Sequence, residues 1–198
     1  MRPQYTLVTP PTFEPITYDQ AAEHLRVDSV DDQTYVQALI GVAREYVDSV
    51  TGRVSAVSGW RVIAPSWACL FGQYSDTLSL FRTPLVSVSA VKYYAAGATT
   101  LSTLPAEEYL VITGAEPGMV KFTGSLPSVA DRPDAVQIEF TAGYADEAAA
   151  PNLLKHAIKL LVGHLYENRL PVAFASCQNL PWSLQAIIEN QKVGGWFA

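Results

Sequence analysis

The side chains that could act as nucleophiles, bases or metal ligands are few and widely spaced. The three histidines are His24, His156 and His164. His156 and His164 are eight residues apart, more than two helical turns, so they cannot hold one metal ion as an i, i+4 pair does. Cys69 and Cys177 form no CxxC motif and have no histidine at a metal-binding spacing. The pattern predicts two buried, reduced thiols and no metal site.

Paired carboxylates and glycine-rich loops offer no better candidate for chemistry. Asp31-Asp32 favours a helix N-cap, and the neighbours Glu107-Glu108 would point to opposite faces of a strand. The sequence contains no Gly-x-Ser-x-Gly elbow, no GxxxxGK[ST] loop and no GxGxxG loop. The ten tyrosines and four tryptophans are scattered, which is typical of a core or a subunit interface. We therefore expect no enzyme activity and no cofactor.

Composition and charge limit the class of protein further. With 198 residues, of which 49% are hydrophobic and 16% charged, the chain can bury a sizeable core. Residues 1–53 carry eight acids and four bases, residues 54–150 nine and five, and residues 151–198 two and four. An acidic body lacks the clustered cations that grip phosphate backbones, so we expect no specific DNA binding. No apolar run is long enough to cross a bilayer, and we expect a protein of the cytosol without a membrane partner.

Two consecutive helices are predicted near the start of the chain. Thr17 and Gln20 have the spacing of a capping box, which begins a helix at roughly 18–26. Asp31 or Asp32 is predicted to cap a second helix over 32–51, and Gly52 supplies the left-handed residue after it. One face of this long helix is apolar, at Val36, Leu39, Ile40, Ala43, Val47 and Val50.

A late helix is predicted to pair with this long helix. Pro151 stands at its first turn, where a missing N–H costs nothing. It ends near Tyr166 to Arg169, and Arg169 can bond the last carbonyls. Its apolar stripe consists of Leu154, Ala157, Ile158, Leu161 and Leu165.

The region between the helices has the pattern of short strands separated by Gly and Pro. We predict strands over 60–64, 67–71, 76–82, 86–91, 109–112, 119–122 and 135–141, and a loop over 101–105. Such a series indicates an antiparallel sheet or small sandwich between helical segments. The Pro-rich residues 1–15 are expected to be an extended arm that a neighbour orders.

A short helix is predicted after Pro181, and Gly194-Gly195 then separates Trp196 and Phe197 from it. A segment with large apolar side chains beyond a double glycine suits insertion into a partner's groove, where aromatic residues anchor interfaces. Packing of these two aromatics on their own domain is the alternative.

The order of several sequence pieces resembles the head-tail connector (adaptor) proteins of tailed phages and of gene transfer agents. The early pieces are "EHLR", an acidic break, a long amphipathic helix and "TGR". "RTPLVSVSAVKYY", "EEYLVI", "GMVKF" and "VQIEFTAGY" follow in the order of the connector branch with a β insertion. The join "AGYADEAAAPNLLKHAIKLLVGHLYENR" is the most specific piece, and the resemblance spans about residues 16–170.

The resemblance implies an α+β fold, with an antiparallel helical core and an inserted antiparallel β region. It divides the chain into an N-terminal arm (1–15), a connector domain (16–170, with helical core 16–53 and 150–170 around a β insertion 54–145) and a portal-docking tail (171–198). The residues expected to meet the portal are Trp182, Ile187, Val193, Trp196 and Phe197. The residues expected to have structural roles are Thr17, Asp32, Gly52, Arg53, Pro151, Tyr166 and Arg169.

As a family member of this kind, the chain would form a closed ring, most commonly of twelve copies, at the particle neck. It would contact the portal protein on one side and a stopper or tail-terminator protein on the other, while DNA passes through the ring without specific binding. Particles of this kind are assembled in the cytoplasm of a bacterial host. Phage, prophage and gene transfer agent origins all remain open.

Two other functions are compatible with the sequence. A tail-completion or tail-terminator protein also forms a phage ring, but its chain is usually dominated by strands with fewer long helices. A small-ligand or glycan-binding enzyme domain would need a deep pocket lined by convergent polar groups.

Overall fold

The computed structural model describes residues 3–27, 29–71, 76–168 and 181–194. These residues form two compact units. The helical unit contains Phe13–Ala56 and the described residues from Tyr144 onward, and the β unit contains the described residues up to Thr12 together with Val57–Gly143. The combination of helices with purely antiparallel sheets confirms the α+β class.

The described residues of the helical unit include four α-helices. They are α1 (Tyr18–Leu25), α2 (Gln33–Thr51), α3 (Asn152–Glu167) and α4 (Trp182–Gln191). The ends of the first three lie within one or two residues of the bounds predicted from the apolar period. Gly52 has φ 73° and ends α2, which confirms the predicted left-handed residue.

The core of the helical unit is one apolar cluster to which all four helices contribute. The predicted stripes of α2 and α3 face each other in it, so the pairing of the early and late helices is confirmed. Val50 and Leu165, the last members of the two stripes, are only partly buried. The buried members are Ile16, Ala21, Val36, Leu39, Ile40, Ala43, Val47, Leu154, Ala157, Ile158, Leu161, Val162, Leu184 and Ile188.

The β unit contains a five-stranded and a three-stranded sheet, both antiparallel. The order is β1-β2-β8-β4-β5 in the larger sheet and β3-β7-β6 in the smaller one. The last strand in the sequence, β8, therefore lies in the centre of the larger sheet. The strands are β1 (Gln4–Thr9), β2 (Ser58–Ala64), β3 (Thr77–Leu80), β4 (Leu85–Tyr94), β5 (Leu101–Thr103), β6 (Tyr109–Ile112), β7 (Gly118–Phe122) and β8 (Val136–Ala142).

The central strand β8 shows the period of two that gives a sheet one buried face. Val136, Ile138, Phe140 and Ala142 are buried, while the residues between them are half-exposed. Val62 of β2 lies opposite Ile138 and is also buried. Burial of these aliphatic and aromatic side chains is the main favourable term in the stability of the unit.

Three sequence-based expectations for the β unit are wrong. The N-terminal arm is extended, but over β1 it pairs with β2 of the same chain, because Tyr5 packs edge-on against buried Phe140. Residues 67–71 form a 3₁₀ turn, Trp67–Cys69, and no strand: Trp67 is buried against Phe122, and its indole N–H donates to the Pro127 carbonyl at 2.9 Å. Residues predicted as a loop include strand β5, which pairs with the end of β4.

Candidate functional site

The start of α1 is fixed by Thr17 and Gln20, as their spacing predicts. The Thr17 hydroxyl accepts a hydrogen bond from the Gln20 backbone N–H at 3.2 Å. The reciprocal half of the capping box is absent, because the Gln20 side-chain amide donates to the carboxylate of Glu147. Gln20 thus joins the first helix to the segment that precedes α3.

Asp32 stands at the N-cap position of α2 but does not cap the helix with its side chain. Its carboxylate accepts a hydrogen bond from the Tyr166 hydroxyl, near the end of α3. The predicted cap is therefore correct in position and wrong in role. The carboxylate instead joins the beginning of one long helix to the end of the other.

The carboxyl end of α2 forms a second junction, in which Arg53 has the central position. The Arg53 Nε donates to the Gln191 carbonyl, at the end of α4, at 2.9 Å. The Val193 backbone N–H donates to the Thr51 carbonyl at 2.8 Å. The Thr51 hydroxyl donates to Val47 O and accepts from the Arg53 N–H, so this buried polar group is satisfied. Together these bonds hold the last described residues against α2.

The helix α4 presents two different faces. Leu184 and Ile188 are buried in the helical core, and Ile187 packs at its edge. Trp182, at the first position of the helix, is 82% exposed. Such exposure is unusual for a tryptophan, which is highly buried on average.

Two of the other predicted site residues lie within the described part of the chain. Pro151 is the residue before α3, with φ −57°, one position earlier than the predicted first turn. Val193 is half-buried beside the α2 junction. The remaining predicted residues, Arg169, Trp196 and Phe197, lie outside the described residues.

The charged groups on the open face of the larger sheet form a row that sequence reasoning did not find. Glu139 of β8 accepts a hydrogen bond at 2.8 Å from Arg61 of β2 and another at 2.8 Å from Lys92 of β4. The bond from Lys92, followed by that from Arg61, holds the pKa of the Glu139 carboxyl below its usual value despite partial burial. Each of the three residues alternates with apolar neighbours in the sequence, which indicates that it lies on the open face of a strand. The strand order was needed to show that the three side chains are adjacent.

A small basic surface lies at the beginning of α3. Lys155, His156 and Lys159 line it, with the rings of His24 and His156 6.4 Å apart. Burial lowers the pKa of His24, and the charges of His156 and Lys159 lower it further. Within the described ranges no three His, Cys, Asp or Glu residues could hold a metal ion together.

A surface groove of the helical unit has a volume of about 620 Å³ and an apolar floor that includes Ile16 and Ile40. The carboxylates at its rim are already engaged, because Glu14 bonds the Arg44 Nε at 2.8 Å and Glu147 bonds Gln20. Both of these carboxylates therefore have partners within the helical unit, whereas a small-molecule site presents convergent polar groups to its ligand. None of the described helices is both long and apolar enough to cross a membrane.

Solved structures of known proteins share this fold over nearly the whole chain. A chain in the neck of an empty gene transfer agent particle, computed with C6 symmetry, superposes with a TM-score of 0.75 at 21% identity, covering 96% of this chain and 95% of that one. A chain in the virion of a native gene transfer agent particle gives 0.75 at 22% identity with the same coverage. The chain has their fold.

A third match is a chain in the neck of a native gene transfer agent particle computed with C12 symmetry, with a TM-score of 0.69, 21% identity and the same coverage. No protein-family model matches the sequence, and no curated protein matches it either. The likeness thus concerns the fold alone.

Proposed function

We propose that this chain is a structural, non-enzymatic subunit of the neck of a tailed-phage-like particle, of the gene transfer agent kind. The observation that carries the proposal is the fold match to neck chains over 96% of this chain, with almost equal coverage of those chains. An inserted or partial domain would have left part of one chain unmatched. The engaged rim of the helical groove adds weight against a ligand-binding enzyme.

Within the neck, we assign the chain the role of head-tail connector (adaptor). Support comes from α2 and α3, two long helices packed in one core, whereas a tail terminator would be dominated by strands. In this role the chain forms a closed ring of twelve copies, binds the portal with its carboxyl-terminal segment and offers its other side to a stopper or tail-terminator protein. We also propose that residues 16–170 form the connector domain and residues 171–198 the portal-docking tail.

The portal contact is assigned to α4 and the residues that follow it. Trp182 is the described residue that supports this, because its indole is exposed while Leu184 and Ile188 anchor the same helix in the core. A helix that is anchored in the core and presents one exposed aromatic side chain is suited to fill a groove on a partner. Trp196 and Phe197 extend the proposed contact.

Deletion of the gene in the organism that encodes it tests the role. We expect DNA-containing heads and free tails of normal length that fail to join, seen by electron microscopy of the particle fraction. Tails of uncontrolled length would instead identify a tail terminator, since a terminator is what stops tail growth. Normal, complete particles would refute a neck role.

Complementation of the deletion with Trp182→Ala tests the portal contact. We expect at least a tenfold loss of joined particles, because interface tryptophans are frequent hot spots. The matched control is Leu110→Ala, which removes a 56% exposed apolar side chain from the β unit. Equal loss with both variants, or with neither, would contradict the assignment of the contact to α4.

The DNA path is tested on duplex DNA with the purified protein. The net charge of −6 predicts no retention on immobilised DNA even at low salt, where binding by clustered cations is strongest. Tight retention that weakens steeply with added salt would contradict passive passage of DNA.

A further inference from the structure

Among the described residues, the outer strand β1 has a strand partner on one side only, so its other edge is available to another strand. It pairs with β2 on one side and is the end strand of the five-stranded sheet. Its residues, QYTLVT, include no charge and no proline, and Leu7 and Val8 are 42% and 49% exposed. Natural proteins normally protect such an edge with Lys, Pro, a β-bulge or a covering loop, because its free N–H and C=O groups pair readily with other strands. The pairing of β1 with β2 shifts register between Leu7 and Thr9 and is regular over residues 4–7.

Contacts with the rest of the β unit hold strand β1 in place. The Tyr5 hydroxyl accepts a hydrogen bond from the Phe81 N–H at 3.3 Å, and the Tyr5 ring packs on Phe140. At the other end of the strand, Thr9 approaches Gly59 so closely that a Cβ there would lie 3.0 Å from the Thr9 side chain. The strand is therefore anchored to the sheet, and Pro3 and Pro10 limit any further pairing to the residues between them.

A second uncovered edge lies on the opposite side of the same sheet. Strand β5 pairs with β4 at Lys92–Tyr94 alone. Along residues 86–90, VSVSA, the outer edge of β4 has no strand partner among the described residues. This stretch is also uncharged, and Val86 is 49% exposed. Its pairing with β8 on the inner side shifts register between Leu85 and Ser87 and again between Val88 and Ala90.

We infer that β1 of one copy of this chain adds to the free edge of β4 in the next copy, so that the larger sheets of neighbouring subunits become continuous. The inference rests on the proposed ring. A ring needs two different surfaces that fit each other, and these edges are different, neutral and of similar length.

The charge of the chain favours these edges as the contact between copies. Identical subunits with a net charge of −6 repel one another at acidic surfaces, whereas two uncharged edges can meet without like charges in contact. Pairing of β1 with β1 would instead give closed dimers, and the similar neck structures were computed with sixfold and twelvefold symmetry. We therefore assign β4 of a second copy as the partner of β1, and β1 of a second copy as the partner of β4.

Disulfide trapping tests the pairing in the full chain. Thr6→Cys and Ser87→Cys are introduced together into a Cys69→Ser, Cys177→Ser background, and the concentrated protein is mildly oxidised. We expect a ladder of covalent multimers on a non-reducing gel, with the new disulfide located by mass spectrometry. The matched control replaces Thr6→Cys by Thr113→Cys, an exposed threonine beyond β6, and should remain monomeric on the gel.

Electron microscopy of the same samples separates this inference from the proposed function. Rings without the covalent ladder would overturn the strand pairing and leave the ring intact. A covalent ladder that never closes into rings would support the pairing and count against the ring. Absence of both at high concentration would overturn the inference, and particles assembled without this chain at the neck would overturn the proposed function.

A charge exchange provides a second test. Thr6→Lys with Ser87→Lys places like charges on the two edges and should abolish multimers, measured by mass photometry. Thr6→Lys with Ser87→Glu should restore at least half of the wild-type multimers, because opposite charges across a strand pair attract. A folding defect would not be rescued in this way, and failure of the rescue in a folded protein would refute the pairing.

Discussion

The helical unit and the β unit obtain their stability in different ways. In a helix the backbone hydrogen bonds are made within a few residues, so the unit depends on the apolar stripes and on the polar bonds that join helix ends, such as Tyr166 to Asp32. In the sheets the backbone bonds join strands far apart in sequence, as β2 and β8 show.

This difference decides which surfaces each unit offers to partners. Helices satisfy their own backbone, so the helical unit offers side chains, above all Trp182. A sheet satisfies its backbone only where a strand has neighbours on both sides, so among the described residues the larger sheet offers its outer strand β1 and the part of β4 that β5 does not pair with. We therefore expect mutations in the helical unit and mutations in the β unit to have separable effects on stability and on contacts with partners.

The largest effects are expected from large-to-small changes in the two cores. Phe140→Ala and Leu154→Ala each remove a buried side chain, and we expect losses of about 3–5 and 2–5 kcal/mol of unfolding free energy. Hydrogen exchange should accelerate mainly in the β unit for the first and mainly in the helical unit for the second. Equal acceleration in both units by either variant would show that they unfold together.

A smaller effect is expected from crowding between β4 and β7. A Cβ at Gly118 would lie 2.4 Å from the Leu85 Cβ, a contact that forces one strand to shift. Gly118→Ala should therefore lower the unfolding free energy by about 1–3 kcal/mol, measured by urea denaturation. The control Gly114→Ala meets nothing within 4 Å and should change stability by less than about 0.5 kcal/mol.

The N-cap of α1 tests the helical unit on a similar scale. Thr17→Ala removes the acceptor of the Gln20 N–H and should cost about 1 kcal/mol. Thr17→Ser keeps a hydroxyl at the same place and should restore most of the loss. If alanine and serine were equivalent in urea denaturation, the cap would contribute nothing.

The smallest effect is the pH dependence that Glu139 gives the β unit. The pKa of the Glu139 carboxyl is lower in the folded state than in the unfolded state, where it is about 4.3. Between these two pKa values the unfolded state binds more protons, so lowering the pH favours unfolding. The stabilisation is full above that window and is lost as the pH falls through the folded pKa. Because the three side chains are partly exposed, we expect up to about 1 kcal/mol.

Glu139→Gln provides the measurement. It should lower the urea midpoint at pH 7 and lose this deficit as the pH approaches 3. A deficit that is independent of pH would mean that the side chain contributes through packing and not through its charge.

Local signals in the sequence were sufficient for the helical unit. The period of α2 and α3 and the glycine after α2 predicted their bounds closely, because each depends on residues within one or two turns. The cap at Asp32 was predicted in the right position with the wrong role. Its carboxylate accepts a hydrogen bond from Tyr166, a residue more than one hundred positions away, and no local pattern indicates this contact.

The sequence by itself determined the α+β class, the two long helices and most of the strand positions, since burial period and turn residues act between neighbours in the chain. Tertiary structure alone decided that β1 joins the sheet, that β8 lies at its centre, that Arg61 and Lys92 meet at Glu139, and which edges remain open. Strand order depends on burial and backbone pairing between segments that are remote in the sequence, so no single segment can predict it.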